Sequence, residues 1–185
     1  VLMQPVWAGG RRADEISGLA TWLGTYAAHT PGVDAGDNGS VRLDEDNEPQ
    51  PDAFLIVNPA RGGQTRISDD DYIEGAPELV AEVASSSASI DLGDKLRAYL
   101  RNGVREYLVW RVLDRALDWF VLRDDRYEPM KPDDGLLKSE AFPGLWLDAE
   151  ALLADDLAKV LAALNRGLAS PEHAAFVARL EGAAG

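Results

Sequence analysis

Two short apolar runs constrain the fold of this chain more than any other feature. Residues 53–57 (AFLIV) and 78–84 (ELVAEVA) have the length and composition of buried strands. Residues 106–112 and 116–122 predict two further strands joined by a short turn, and residues 127–130 an edge strand. The chain therefore needs other elements that cover a β-sheet.

Helical periodicity surrounds these strands. Apolar residues three and four positions apart predict an amphipathic helix over residues 11–30 and a second over residues 91–102, which Gly103 ends as a C-terminal cap. After residue 148 the alanine- and leucine-rich sequence predicts a helix to about residue 165 and a last helix that opens at Ser170. This order of elements predicts a mixed α/β (α+β) domain around a central sheet. We expect one domain at residues 1–148 and a helical extension packed on it at residues 149–185.

Several segments give weaker local signals. Residues 34–50 are acidic and turn-rich and predict a loop whose one short strand lies at residues 40–43. Glu78 stands at the start of its strand, so we expect solvent exposure there. His29 and His173 stand at helix ends and are expected to be surface or capping residues.

The cysteine content limits the chemistry. The 185 residues include no cysteine, which excludes disulfides, thiolate zinc sites and thiol nucleophiles. With only two histidines, a metal would be held mainly by oxygen, which favours magnesium or manganese. No apolar run reaches the roughly 18 to 20 residues of a membrane helix, and the N-terminal region lacks the apolar core of a signal peptide. We therefore expect a cytoplasmic protein that does not contact a membrane.

The net charge of the chain opposes the binding of nucleic acid. The chain carries a formal charge of −14 from 18 basic and 32 acidic side chains, and such a field repels nucleic acid at long range. The charge is uneven, because residues 91–126 hold eight basic and seven acidic side chains. This middle segment is where a polyanion would be tolerated.

Three residues form the candidate site. Asp52 starts one strand, Glu82 lies within another, and Lys95 lies on the following helix. If the strands are neighbours, the two carboxylates can converge on one hard cation, and Lys95 can reach over the strand end. Each residue also has a structural interpretation: Asp52 as a strand-entry turn residue, and Lys95 as the i, i+4 partner of Asp91. Glu82 is harder to explain this way, since a carboxylate in an apolar strand is costly to bury alone.

Other catalytic patterns are missing. The sequence contains neither of the glycine-rich phosphate-binding loop patterns, G-x-x-x-x-G-K-[ST] and G-x-G-x-x-G, and it has no G-x-S-x-G motif.

The residues around this constellation resemble the Uma-type putative restriction endonuclease family, a bacterial branch of the PD-(D/E)XK nuclease superfamily. Four ordered blocks carry the resemblance, which covers roughly residues 11–150 and includes a closing segment that starts at Phe142. They are Pro51-Asp52-Ala53-Phe54, residues 75–83 (GAPELVAEV), residues 91–99 (DLGDKLRAY) and residues 103–107 (GVREY).

The resemblance implies a restriction-endonuclease-like core, a mixed sheet between helices, and an endonuclease that hydrolyses phosphodiester bonds in nucleic acid, with DNA expected. It implies Asp52 and Glu82 as ligands of Mg²⁺ or Mn²⁺, with no other cofactor, and Lys95 as the catalytic lysine. Ala84 stands where an E-x-K motif has lysine, so the lysine has to come from the following helix. Glu15 and Asp91 are further candidate site residues. A homodimer would suit the cutting of two strands.

Two other functions stay open at this stage. One is a nuclease-like scaffold that has lost activity and acts as an interaction protein, which the net charge of −14 favours. The other is a carboxylate-pair hydrolase such as a glycosidase, with tryptophans as sugar platforms, although the strand alternation around Trp119 favours a core position for that ring.

Overall fold

The computed structural model describes residues 9–37, 39–44, 48–69, 72–85 and 90–183. The helices are α1 (Gly9–Ala28), α2 (Leu96–Asn102), α3 (Ala149–Leu153), α4 (Leu157–Leu168) and α5 (Pro171–Gly182), with a π-helical turn at Asp91–Lys95 directly before α2 and a 3-10 turn at Pro59–Arg61. The strands are β1 (Val33–Asp37), β2 (Val41–Arg42), β3 (Ala53–Val57), β4 (Arg66–Ile67), β5 (Ile73–Glu74), β6 (Leu79–Ala84), β7 (Glu106–Arg111), β8 (Ala116–Arg123), β9 (Arg126–Pro129), β10 (Leu137–Lys138) and β11 (Trp146–Leu147).

The main sheet has the strand order β1-β3-β6-β7-β8-β9. Its neighbouring strands are antiparallel except for β6 and β7, which are parallel. A parallel pair needs a crossover connection, and the π-helical turn with α2 provides it over one face of the sheet. Strands β2, β5 and β4 form a separate small sheet, in the order β2-β5-β4. Strands β10 and β11 form a separate two-stranded sheet. The expected fold class, a mixed sheet flanked by helices with helices at the C-terminus, is confirmed.

The sheet buries both of its faces in separate apolar layers. Alternate residues of the central strands, such as Leu55 and Leu108, pack with α1 and the C-terminal helices. The residues between them, such as Ile56 and Val109, pack in a second layer with Tyr99 of α2. This explains why β3 and β6 read as continuous apolar runs, because strands covered on both sides have no solvent-facing residues. None of the helices described here is long and apolar enough to span a membrane.

The C-terminal helices begin at polar caps. Asp148, Asp156 and Ser170 accept hydrogen bonds from backbone N–H groups in the first turns of α3, α4 and α5. The helix predicted from residue 148 to about 165 is therefore two helices, separated where Asp155 adopts a positive φ of 57°. Val160, Leu164, Phe176 and Leu180 belong to the same core as α1. The division into domains at residue 148 stays a prediction.

Strand β1 corrects the loop expected at residues 34–50. Its sequence, VDAGD, has little β propensity, and its pairing with β3 along its whole length creates the strand. The ring of Phe54 lies over Gly36 so closely that a Cβ on Gly36 would collide with it. A cross-strand contact of this kind leaves no signal in the local sequence.

Glu78 is buried, which corrects the exposure expected for it. Its side chain accepts hydrogen bonds from the backbone N–H groups of Val57 (2.9 Å) and Gln64 (2.9 Å) and is 1% exposed. The carboxylate therefore closes the end of β3, where two main-chain donors would otherwise lack partners.

Glu106 fastens the segment around Phe142 to the sheet. Its two carboxylate oxygens accept hydrogen bonds from Trp119 Nε1, Ser139 Oγ and the backbone N–H groups of Glu140 and Ala141. Burial raises the pKa of Glu106 to about 7, and these four donors oppose that rise. The loop that leads to the C-terminal helices thus depends on a carboxylate at the start of β7.

Substitution of two glycines, one in α4 and one in α1, tests the packing of α4. A Cβ on Gly167 would collide with the carbonyl oxygen of Gly144 and would lie 2.8 Å from Trp146 Cγ, whereas a Cβ on Gly18 of α1 meets nothing within 4 Å. We expect Gly167→Ala to lower the free energy of unfolding by about 1–3 kcal/mol through overpacking. Gly18→Ala should leave it unchanged or raise it by up to about 1 kcal/mol, because alanine favours helix. Thermal unfolding followed by circular dichroism measures both, and a Gly167→Ala protein as stable as wild type would contradict this packing.

Candidate active site

The pairing of β3 with β6 brings two carboxylates together. The antiparallel register pairs Ala53 with Ala81, and Asp52 directly precedes β3, so the register extended by one position puts Asp52 opposite Glu82 of β6. Side chains at such paired positions share one face of the sheet and are separated by about 5 Å at Cβ. Asp52 is 4% exposed, and its Oδ2 accepts a hydrogen bond from the backbone N–H of Val83 at 2.7 Å. This bond holds Asp52 against the strand that carries Glu82.

Glu82 is buried in the layer under α2 and has a partner at each oxygen. The Tyr99 hydroxyl donates to Oε1 at 2.9 Å, and the Lys95 ammonium lies 3.0 Å from Oε2. Burial raises the pKa of Glu82 to about 7, and the nearby charge of Asp52 adds to the rise. The charge and hydrogen bond of Lys95 and the hydrogen bond of Tyr99 oppose it. Glu82 is thus a carboxyl group whose charged state depends on its partners.

Lys95 is shared between two acids. Its Nζ lies 3.0 Å from Glu82 Oε2 and 3.0 Å from Asp91 Oδ1, and about a third of its side chain is exposed. Burial acts to lower the pKa of Lys95, but the charges and hydrogen bonds of Glu82 and Asp91 outweigh burial and raise it. The ammonium group is therefore protonated at neutral pH and faces solvent at one side of the pair.

The π-helical turn before α2 sets this arrangement. Asp91 and Lys95 are its first and last residues, and the Tyr107 hydroxyl of β7 donates to the Asp91 carbonyl oxygen at 3.0 Å. Widened turns of this type occur often at functional sites because they redirect side chains from the regular helical path. Here the turn is anchored to the sheet and presents Lys95 to Glu82.

The structure brings together four of the five residues proposed from the sequence. Asp52, Glu82, Lys95 and Asp91 lie on the α2 side of the sheet, whereas Glu15 lines a cavity on the α1 side with Trp110. Within the described part of the chain, no three or more His, Cys, Asp or Glu side chains form a group that could hold a metal ion. A cation here would have to rely on fewer protein ligands, together with water and substrate.

Two tyrosines of the site were not predicted from the sequence as functional residues. Tyr99 donates to Glu82, and Tyr107 donates to the backbone of Asp91. Tyr99 has a usable signal, because positions 91, 95 and 99 follow each other at four-residue spacing on one helix face. Tyr107 has none, since only the parallel pairing of β7 with β6 places it under the turn.

The histidines lie away from these residues and make structural contacts. His29 is exposed, as expected, and its Nδ1 lies 2.8 Å from the carbonyl oxygen of Thr25. His173 is buried instead, with Nε2 2.9 Å from Thr30 Oγ1 and Nδ1 3.0 Å from the carbonyl oxygen of Leu168. The expectation of a surface or simple capping role for His173 was wrong, because its ring ties the end of α1 to the end of α4.

The ion pair of Lys95 and Glu82 predicts that the effect of Lys95→Met on the free energy of unfolding depends on pH. The pKa of Glu82 in the folded protein, about 7, lies above its ordinary value of 4.5, so at pH 5 the folded protein carries Glu82 largely protonated and the lost lysine removes mainly the ion pair with Asp91. At pH 8 the substitution leaves a buried carboxylate without its cation. We expect the loss in the free energy of unfolding to be about 1–3 kcal/mol larger at pH 8 than at pH 5, measured by urea unfolding.

Lys159→Met is the matched control. Lys159 pairs with Asp156 on the surface of α4, and a hydrogen bond from the Lys159 backbone N–H lowers the pKa of Asp156, which stays charged from pH 5 to pH 8. The effect of Lys159→Met should therefore be the same at both pH values. Equal effects of Lys95→Met at pH 5 and pH 8 would contradict the assignment of the ion pair.

Comparisons with known proteins agree on the family and the fold. The model of the family Uma2, described as putative restriction endonuclease, matches residues 4–150. The crystal structure of a putative nuclease belonging to DUF820 from Anabaena variabilis ATCC 29413 is similar, with a TM-score of 0.60 and 14% sequence identity. The similarity covers 83% of this chain and 85% of that one. No curated protein sequence matches the chain.

The family match includes both carboxylates, the lysine and the strands and helix that carry them. The structural match extends over most of the chain and shows that its fold is that of the putative nuclease structure. Because the family model spans far more than half of the 185 residues, the chain belongs to the Uma2 family, the putative restriction endonucleases.

Proposed function

We propose that this protein is a metal-dependent endonuclease that hydrolyses phosphodiester bonds in DNA. One observation carries the proposal: Asp52 and Glu82 lie opposite each other on adjacent strands, and the Lys95 ammonium is 3.0 Å from Glu82. Two carboxylates and a lysine at one end of a sheet are the groups that phosphodiester hydrolysis needs for binding a cation and stabilising negative charge. Membership of a family described as putative restriction endonucleases supports the same reaction class.

The carboxylate pair fits magnesium better than zinc. Mg²⁺ is commonly bound by one or two carboxylates and keeps several waters or takes substrate phosphate oxygens. Asp52 and Glu82 would hold it. Burial, with a smaller contribution from the charge of Asp52, raises the pKa of Glu82, and a bound cation would favour the charged carboxylate. A divalent cation at this position would lower the pKa of water and neutralise developing charge.

Lys95 acts as a cation in this proposal. Its raised pKa keeps the ammonium group protonated at neutral pH, so it is poorly suited to accept a proton from water. A protonated lysine beside the carboxylates can orient the attacking water or stabilise the negative charge that develops on the phosphoryl oxygens. Tyr99 donates to Glu82 and keeps that carboxylate in place.

The surface charge sets the conditions under which DNA would bind. The net charge is −14, and several arginines of the described surface are engaged by acids, such as Arg97 with Asp94, Arg101 with Asp44, and Arg111 with Asp118. Attraction to the phosphate backbone is therefore weak and falls further with salt. Cleavage assays need low ionic strength.

Nicking of supercoiled plasmid DNA tests the proposal. At low ionic strength we expect wild-type protein to nick the plasmid with Mg²⁺ or Mn²⁺ and to lose the activity when the metal is chelated. Asp52→Asn, Glu82→Gln and Lys95→Met should each reduce the rate by about 100-fold or more, since each removes a group that holds the cation or stabilises charge. Gel densitometry over time gives the rates.

Asp94→Asn is the control for these substitutions. Asp94 lies in the same helical turn as Lys95, is largely exposed and pairs with Arg97, so its neutralisation should leave nicking within about twofold of wild type. Nicking that persists with chelator or in Asp52→Asn would refute the metal-dependent mechanism. If wild type neither nicks DNA nor binds metal by calorimetry, the chain is better described as an inactive nuclease-like scaffold that acts as an interaction protein.

A further inference from the structure

We propose that Asp91 is a positioning residue that keeps the Lys95 ammonium in the site when a divalent cation displaces it from Glu82. The inference rests on the proposed function, because it assigns a role toward the cation that Asp52 and Glu82 would hold. It differs from a role of Asp91 as a metal ligand, and the two roles predict different measurements.

Both oxygens of Glu82 are engaged in the structure. Tyr99 donates to Oε1, and Lys95 occupies Oε2. A hydroxyl donor is neutral and can stay when a cation binds the same carboxylate, whereas an ammonium group 3.0 Å from Oε2 is a competing positive charge. A divalent cation bound at Glu82 would therefore repel the Lys95 ammonium and favour its movement away from this carboxylate.

Asp91 offers Lys95 a second position that does not depend on Glu82. The two residues are four apart on the same helical segment, and Lys95 Nζ is already 3.0 Å from Asp91 Oδ1. Asp91 is 1% exposed, and the hydrogen bond from Tyr107 to its carbonyl oxygen ties the backbone of the turn to β7. The acid is therefore fixed relative to the sheet, and a lysine bound to it stays beside the strand that carries Glu82.

The effect of Asp91 on metal affinity should therefore depend on the presence of Lys95. With Asp91 present, the ammonium group loses only one of its two acidic partners when the cation enters. With asparagine at position 91, Lys95 would keep only Glu82 of these two acidic partners. Lys95 would then compete more strongly with the cation for Glu82. Asp91→Asn should thus weaken metal binding through Lys95.

A double-mutant cycle on metal affinity tests the coupling. Mn²⁺ alone is titrated by calorimetry into four proteins: wild type, Asp91→Asn, Lys95→Met and the double variant. We expect Asp91→Asn to weaken Mn²⁺ binding by about 5- to 20-fold in the wild-type background and by about twofold or less in the Lys95→Met background. Asp94→Asn, which neutralises an exposed acid of the same turn, should leave the affinity unchanged within about twofold in both backgrounds.

The outcomes separate this inference from the proposed function. An equal loss of affinity on Asp91→Asn in both backgrounds would make Asp91 a metal ligand and overturn the positioning role, while leaving a metal-dependent nuclease intact. No effect in either background would also overturn it. Absence of Mn²⁺ binding in wild type would overturn the inference, and only together with absence of plasmid nicking would it also overturn the proposed function.

Asp91 is buried, so folding of each variant has to be checked by circular dichroism. If Asp91→Asn does not fold, Asp91→Ser takes its place in both backgrounds and is held to the same criterion. Asp91→Glu keeps the carboxylate and should retain an affinity within about threefold of wild type, which a site intolerant of any change at this position would not do.

Discussion

The ion pair of Glu82 and Lys95 is the interaction on which the candidate site depends. A carboxylate in the middle of a sheet covered on both faces has lost its water, and its charged form survives only if nearby donors and cations replace that water. Lys95 and Tyr99 do this for Glu82, and both come from the helical segment that follows β6. The acid and its partners are therefore a single unit built from one strand and the helix after it.

The topology explains why this unit lies where it does. β6 and β7 are parallel, and the crossover between them has to start near the carboxyl end of β6. In α/β sheets ligands commonly bind at this end of the strands, because the helices that follow begin there. Asp52 joins the unit from the antiparallel neighbour β3, whose amino end meets the carboxyl end of β6. Mixed strand directions thus gather groups from three elements.

Two other buried glutamates, Glu78 and Glu106, show what distinguishes the site. Glu106 and Glu82 both have a pKa raised to about 7 by burial, so a perturbed pKa does not separate them. Their partners do. Glu78 accepts hydrogen bonds from backbone N–H groups, and Glu106 from two backbone groups, an indole and a hydroxyl, all of which are neutral. Glu82 instead faces a partly exposed cation and a second acid on the neighbouring strand, which suits exchange with a ligand rather than closure of the fold.

The amino-acid sequence by itself determined the central strands, the helix that carries Lys95 and the polar caps of the last helices. These features depend on periodicity and on capping residues, which act over a few positions along the chain. It also pointed to the candidates Asp52, Glu82 and Lys95, because an acid before one apolar run, an acid inside the next run and a lysine on the following helix are conspicuous. The tertiary structure alone decided that VDAGD becomes strand β1, that Glu78 and His173 are buried, and that Tyr107 anchors the turn at Asp91. Each of these depends on a partner distant in the sequence, and no local pattern records contacts that form only when the sheet assembles.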